Sequence, residues 1–148
     1  MTSSALMEIR QLALCFLFVS LSGCNTASSV TESPTDASKS FANAINSQDI
    51  EAAMAHWSDD ALMYFQSGDA EAAIVSRDQI RENYEHMFQD DHVPTLEIRV
   101  DGFDRVGDIA HEWGSFTIGE STGCYVLVRR AVDGWKVHRE WIVEPCGH

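Results

Sequence analysis

Basic residues are scarce in this chain: ten lysines and arginines stand against 23 aspartates and glutamates, giving a formal net charge of -13. A protein that neutralises phosphates needs the opposite balance, so nucleic acid is not expected as a partner and a bare anionic membrane is disfavoured. A cationic partner is compatible with this charge without being required by it. The apolar run at residues 12–21, LALCFLFVSL, is too short to cross a bilayer as a helix. A Ser/His/Asp nucleophile elbow, a phosphate-binding glycine loop, a redox Cys-x-x-Cys and an internal repeat are all missing. Of His111, Glu112, His138 and Glu140, only His138 and Glu140 share a strand face at a spacing that ligands use, so neither a metal nor a cofactor is expected.

What is present begins with an address. The short apolar run suits a signal-peptide core, and Leu21-Ser22-Gly23-Cys24 follows it directly. This resembles the lipobox of bacterial lipoproteins, an aliphatic residue and two small ones before a cysteine. The resemblance implies cleavage before Cys24 and a diacylglycerol on its sulfur. An ordinary secretory signal is the alternative, and Met7 is a second candidate start. Asn25 follows the cysteine instead of Asp, which among such lipoproteins does not favour inner-membrane retention. The expected location is therefore the bacterial cell envelope, anchored in the outer membrane and facing the periplasm. Residues 25–31, NTASSVT, read as a flexible tether. The division is thus a signal peptide at 1–23, a lipidated cysteine and tether at 24–32, and one folded domain at 33–148. A hydrophobic content of 45% suits a globular domain.

Within that domain, Ser33-Pro34-Thr35-Asp36 is a helix start, with Phe41, Ala44 and Ile45 on one face up to about residue 47. Asp49 caps a second helix over 50–57. Residues 61–66 read as a short strand and 67–73 as a loop. Ser76 caps a third helix to about residue 89, with Ile80, Tyr84, Met87 and Phe88 as its inner stripe. Four strands follow, at 95–105, 109–118, 124–131 and 135–143. The last two fold about Val132-Asp133-Gly134, the strongest hairpin signal in the chain. Helices followed by a run of antiparallel strands describe an α+β domain with the helices on one face of the sheet. Two cysteines remain in the mature domain, Cys124 and Cys146, in an oxidising compartment. In a simple hairpin register Cys146 overshoots Cys124, although Pro145 can turn the chain back. A disulfide and a pair of buried thiols both remain open.

Three stretches, SFANAINSQDIEAAMAHWSDDALMYF, RDQIRENYEHMF and GDIAHEWGSFTI with CYVLVRRAVDGWKVHREWIV, resemble the cone-shaped fold shared by nuclear transport factor 2, ketosteroid isomerase and the SnoaL-like proteins. The resemblance implies a curved antiparallel sheet packed on about three N-terminal helices, with a cavity between them. It does not decide the activity, because this fold hosts enzymes and binding modules alike.

With Ala131 opposite Trp135, strict alternation puts Glu112, Phe116, Cys124, Val126, Arg130, His138, Glu140 and Ile142 on one sheet face. Trp113, Tyr125, Arg129, Trp135, Arg139 and Trp141 fall on the other. The resemblance favours the His138 and Glu140 face as the cavity wall. Tyr64, Tyr84 and Phe88 then line the opposite wall, with Glu112 paired to Arg130 near the rim. Trp113 and Trp141 on the open face point to a homodimer, since large aromatics should not face water. The leading functional reading is a lipid-anchored domain that binds a small apolar or amphipathic molecule. A second is an isomerase, dehydratase or hydrolase in which Glu140 or His138 transfers a proton. A third is an acidic periplasmic interaction or inhibitor module.

Overall fold

Helix starts in this chain are built from short polar side chains that satisfy backbone N–H groups the helix leaves free. The Ser33 hydroxyl accepts the Asp36 amide at 3.1 Å, and Pro34 fills the first turn, opening α1 (Pro34–Asn46). Asp49 accepts the Ala52 amide at 2.9 Å to open α2 (Ile50–Ala55). Ser76 and Gln79 cap each other reciprocally at the start of α3 (Arg77–Phe88). The computed structural model describes residues 32–146. The expected signal peptide, the lipidation site Cys24 and most of the tether lie outside the described residues.

Among the described residues six strands form one sheet: β1 (Trp57–Ser67), β2 (Ala73–Ser76), β3 (Leu96–Val106), β4 (Ile109–Ile118), β5 (Ser121–Ala131) and β6 (Trp135–Glu144). Their order is β2-β1-β6-β5-β4-β3, antiparallel except for the β1–β6 pair. The architecture is the α+β arrangement expected, a curved sheet with three helices on one face. β2 falls where a loop was expected to run into the third helix. β1 starts at Trp57, so α2 stops at Ala55 and that tryptophan belongs to the sheet.

Two local events decide which side chains face the helices. Ile118 pairs with Ser121, so Gly119 and Glu120 alone make the β4–β5 turn, with Gly119 at φ 60°. Residues 121–123 are strand, where a longer loop was expected. This tighter turn reverses the parity of β5 relative to β4, and Tyr125, Leu127 and Arg129 point inward. The second event is a bulge in β6. Arg129 pairs with Val137 but Val128 pairs with Arg139, so His138 is the extra residue. Before the bulge Trp135 and Val137 face inward; after it Glu140 and Ile142 do.

The core follows from these facings. Met54, Trp57, Ile80, Tyr125, Leu127 and Val137 pack as one buried cluster under α2 and α3. Ala44, Ile45, Ala53 and Leu96 form a second beneath α1. Cys124 and Cys146 are bonded, with Cα atoms 5.0 Å apart, because the chain turns back after β6. Such a link stabilises by about 2–4 kcal/mol.

The outer face carries a row of side chains across the whole sheet. Trp113 pairs with Val126, Val126 with Trp141, Trp141 with Tyr64 and Tyr64 with Ile74. Trp141 and Tyr64 stack at 5.3 Å and 7°. Trp113 lies over Gly102, where any Cβ would sit 2.5 Å from its ring. Trp113, Val126, Trp141 and Ile74 are all exposed.

Candidate functional site

The inward faces of the sheet and helices α1 and α3 do not meet everywhere. A cavity of about 160 Å³ remains between them. Its walls are mostly apolar: Phe41 and Ile45 from α1, Tyr84 and Met87 from α3, Met63 from β1 and Phe116 from β4. Trp57, Tyr125 and Leu127 close the base, and Ile142 and Glu140 come from β6. Tyr84, Phe116, Glu140 and Ile142 are therefore brought together as lining residues.

Glu140 is the unusual member of this lining. Among the described residues no hydrogen-bond partner is found for its carboxylate. Burial raises its pKa from 4.5 to about 7, Arg129 opposes the rise, and Glu112 adds to it. Burial likewise raises the Tyr84 phenol, with the Glu140 charge as a second cause. Tyr84 thus presents a protonated phenol to the same cavity as a carboxyl group that titrates near neutrality. Trp57 adds a buried indole Nε1–H without a hydrogen-bond partner.

Beside the cavity lies a buried polar network. Glu112 is 0% and Arg129 1% exposed. The Ser38 hydroxyl donates to Glu112 Oε1, and Arg129 Nη2 donates to Ser38 Oγ at 2.6 Å. The Tyr125 hydroxyl donates to the same Glu112 oxygen at 3.0 Å, and Arg129 Nη1 donates to the Trp135 carbonyl at 3.2 Å. Arg129 Nε faces Glu112 Oε2 at 3.7 Å, an ion pair without a hydrogen bond at those two atoms. Burial works against the Arg129 charge, and Glu112 is the largest opposing influence. Tyr125 is raised by burial and then by Glu112, so it keeps its proton and donates. This geometry requires Gly114 on the neighbouring strand: a Cβ there would lie 2.9 Å from the Tyr125 hydroxyl and 2.1 Å from the Arg99 carbonyl oxygen.

Several expected site residues lie elsewhere. His138, in the bulge, places Nδ1 3.1 Å from Asp60 Oδ1 and does not line the cavity. The Asp60 carboxyl is lowered first by the Ser58 hydroxyl and less by His138. Tyr64 is on the outer face, because Met63 takes the inward position of β1. Val126 is also outward and 48% exposed, since the tight β4–β5 turn reversed its strand's parity. Phe88 stacks on Tyr84 at 6.4 Å and packs over the Ala44–Ile45 cluster, one helical step past the cavity edge. Glu112 is inward but sealed off from the cavity, and its partner is Arg129, not Arg130. His56, lowered to about 4 by burial and then by Arg129, is neutral and sits edge-on to Phe41.

Sequence reasoning missed Ser38, Trp57, Tyr125 and Arg129. The alternation Tyr125-Leu127-Arg129 was visible, but it was referred to the wrong face. Reading Gly119-Glu120 as a two-residue turn would have placed it correctly.

The sequence matches the family model of the SnoaL-like domain over residues 38–144. Among solved structures, an NTF-2 like protein of unknown function from Shewanella oneidensis superposes with a TM-score of 0.63 at 14% identity, covering 74% of this chain and 94% of that one. A ketosteroid isomerase-like protein from Erwinia carotovora atroseptica gives 0.56 at 16% identity, covering 75% and 92%. An NTF2-like protein from Cytophaga hutchinsonii gives 0.59 at 19% identity, covering 74% and 93%. At these identities the likeness is one of fold. No curated protein matches the sequence.

The raised Glu140 pKa has a consequence for stability. The folded state holds this proton more tightly than the unfolded chain, so its contribution falls as pH rises from 4.5 to about 7. Glu140→Gln should therefore be more stable than the parent at pH 8, with the difference vanishing below pH 4.5. Urea unfolding at several pH values measures this. A difference that is the same at every pH would show that Glu140 ionises normally.

Proposed function

The chain belongs to the SnoaL-like domain family, and on that basis we propose that it binds one small, largely apolar molecule in the cavity between sheet and helices. The observation that carries this reading is an apolar cavity containing a single carboxylate without a protein partner, Glu140. A dry cavity of about 150 Å³ accommodates benzene, so the volume here suits a ligand with a body of about one ring. The acidic interaction module has less support, because such a module needs no cavity. Mass spectrometry of material extracted from natively produced protein tests the reading. A stoichiometric small molecule is expected. Protein that carries nothing and binds no apolar probe would sink it.

Catalysis is a second reading, favoured by the placement of Glu140. A carboxyl group titrating near 7 in the same cavity as the Tyr84 phenol suits proton transfer next to a carbonyl. His138 has no part in it, being outside the cavity. The expected signature is a Glu140→Gln variant that leaves the extracted molecule unconverted even when its concentration saturates the site. Equal turnover by parent and variant would remove Glu140 from the chemistry.

Two further proposals concern where the domain sits. The outer aromatic row is proposed to cover itself against a second copy of the chain, as exposed Trp113 and Trp141 on a sheet face favour. Sedimentation at micromolar concentration should show a dimer that Trp113→Glu with Trp141→Glu converts to monomer; a parent monomer rules the dimer out. Lipidation at Cys24 and an envelope location rest on the lipobox resemblance. The intact mass of membrane-extracted protein should show an acylated chain beginning at Cys24, and an unmodified cysteine there would reject the anchor.

A further inference from the structure

The charges at the cavity do not balance. Glu112 and Arg129 form a buried pair and cancel. Glu140 is left over, and among the described residues the only other charged one lining the cavity is that same Arg129, already bonded to Ser38 and the Trp135 carbonyl. The titratable groups facing Glu140 are Tyr84 from α3, Glu112 from β4, and Tyr125 and Arg129 from β5. The cavity residues contributed by α1, β1 and β3 add no ionisable side chain. Ionised Glu140 therefore leaves a net negative charge in a low-dielectric space. That charge is relieved either by a proton or by a cation brought with the ligand.

The walls favour the same sign of ligand. Phe41, Trp57, Tyr84, Phe116 and Tyr125 all line this one cavity. Aromatic faces carry negative quadrupole density, which attracts an ammonium group and repels a carboxylate. The whole chain, at -13, raises the local concentration of cations and lowers that of anions.

We propose that the ligand is a protonated amine with an apolar body of about one aromatic ring, its ammonium group seated against the Glu140 carboxylate and its body among the aromatic side chains. This deepens the small-molecule reading of the cavity and rests on it. Binding of such a cation keeps Glu140 ionised, so affinity rises with pH through the range in which the empty site would otherwise take up a proton. An alkylamine stays charged well above that range, as lysine does.

Calorimetric titration of the full chain with three isosteric probes, benzylamine, benzyl alcohol and benzoate, tests the proposal. Benzylamine should bind at least about tenfold more tightly than benzyl alcohol, which corresponds to about 1.4 kcal/mol, and benzoate should bind weakest. The benzylamine preference should grow between pH 6 and pH 8. Glu140→Gln, checked for retained fold by circular dichroism, should bring benzylamine down to the level of benzyl alcohol and remove the pH dependence. Benzyl alcohol binding as tightly as benzylamine would overturn the proposal while leaving the cavity reading intact. So would an amine preference that survives in Glu140→Gln. Failure of every probe to bind would count against the cavity reading itself.

Discussion

The ion pair between Glu112 and Arg129, threaded through Ser38, is the constraint on which this molecule depends. It joins α1 to β4 and β5 at a point where neither charge reaches water. Taking two charges out of water costs several kcal/mol per ion, and the hydrogen bonds that Glu112 accepts from Ser38 and Tyr125, and that Arg129 donates to Ser38 and the Trp135 carbonyl, recover much of that. Removing one partner would strand the other and cost about 3–5 kcal/mol. The position of α1 over the sheet is therefore set by charge geometry as well as by apolar contact.

The pair also determines what kind of site the cavity is. Arg129 would be the natural counter-ion for Glu140, and it does pull the Glu140 pKa down. It is already committed to Glu112, so burial wins and Glu140 stays near neutrality. A single cation shared between the fully buried Glu112 and the half-buried Glu140 on the cavity wall leaves Glu140 available to a ligand. Tyr125 reinforces the division, since its hydroxyl donates to Glu112 and not towards Glu140.

Much of the fold was legible from local chemistry. Ser33, Asp49 and Ser76 marked the three helix starts, Asp133-Gly134 marked the last hairpin, and the element order pointed to the family. The site was less legible, because it depends on parity, and parity depends on single residues. One residue pair, Gly119-Glu120, inverted β5 and exchanged Val126 for Tyr125 and Arg130 for Arg129. One bulge residue, His138, separated two residues that alternation had grouped on the same face. Trp57 was hidden by a helix boundary, since the apolar spacing of α2 continues through it while the helix itself ends at Ala55.

The bulge has a further role. Without it, β6 would continue its alternation from Val137 and turn residue 139 inward, placing an arginine in the cavity and Glu140 outside. The extra residue at His138 puts Glu140 on the inner face and Trp141 on the outer face. The same shift aligns Trp141 with Tyr64 and Glu140 with Met63 across the parallel β1–β6 pair. The stacked Tyr64–Trp141 rings outside thus fix the register that holds the carboxylate inside. Slipping that register by one residue would expose Glu140 and bury Trp141 together, because side-chain direction reverses at every position of a strand. The outer aromatic row and the inner charge are in this sense one structural decision, made at a single bulged residue.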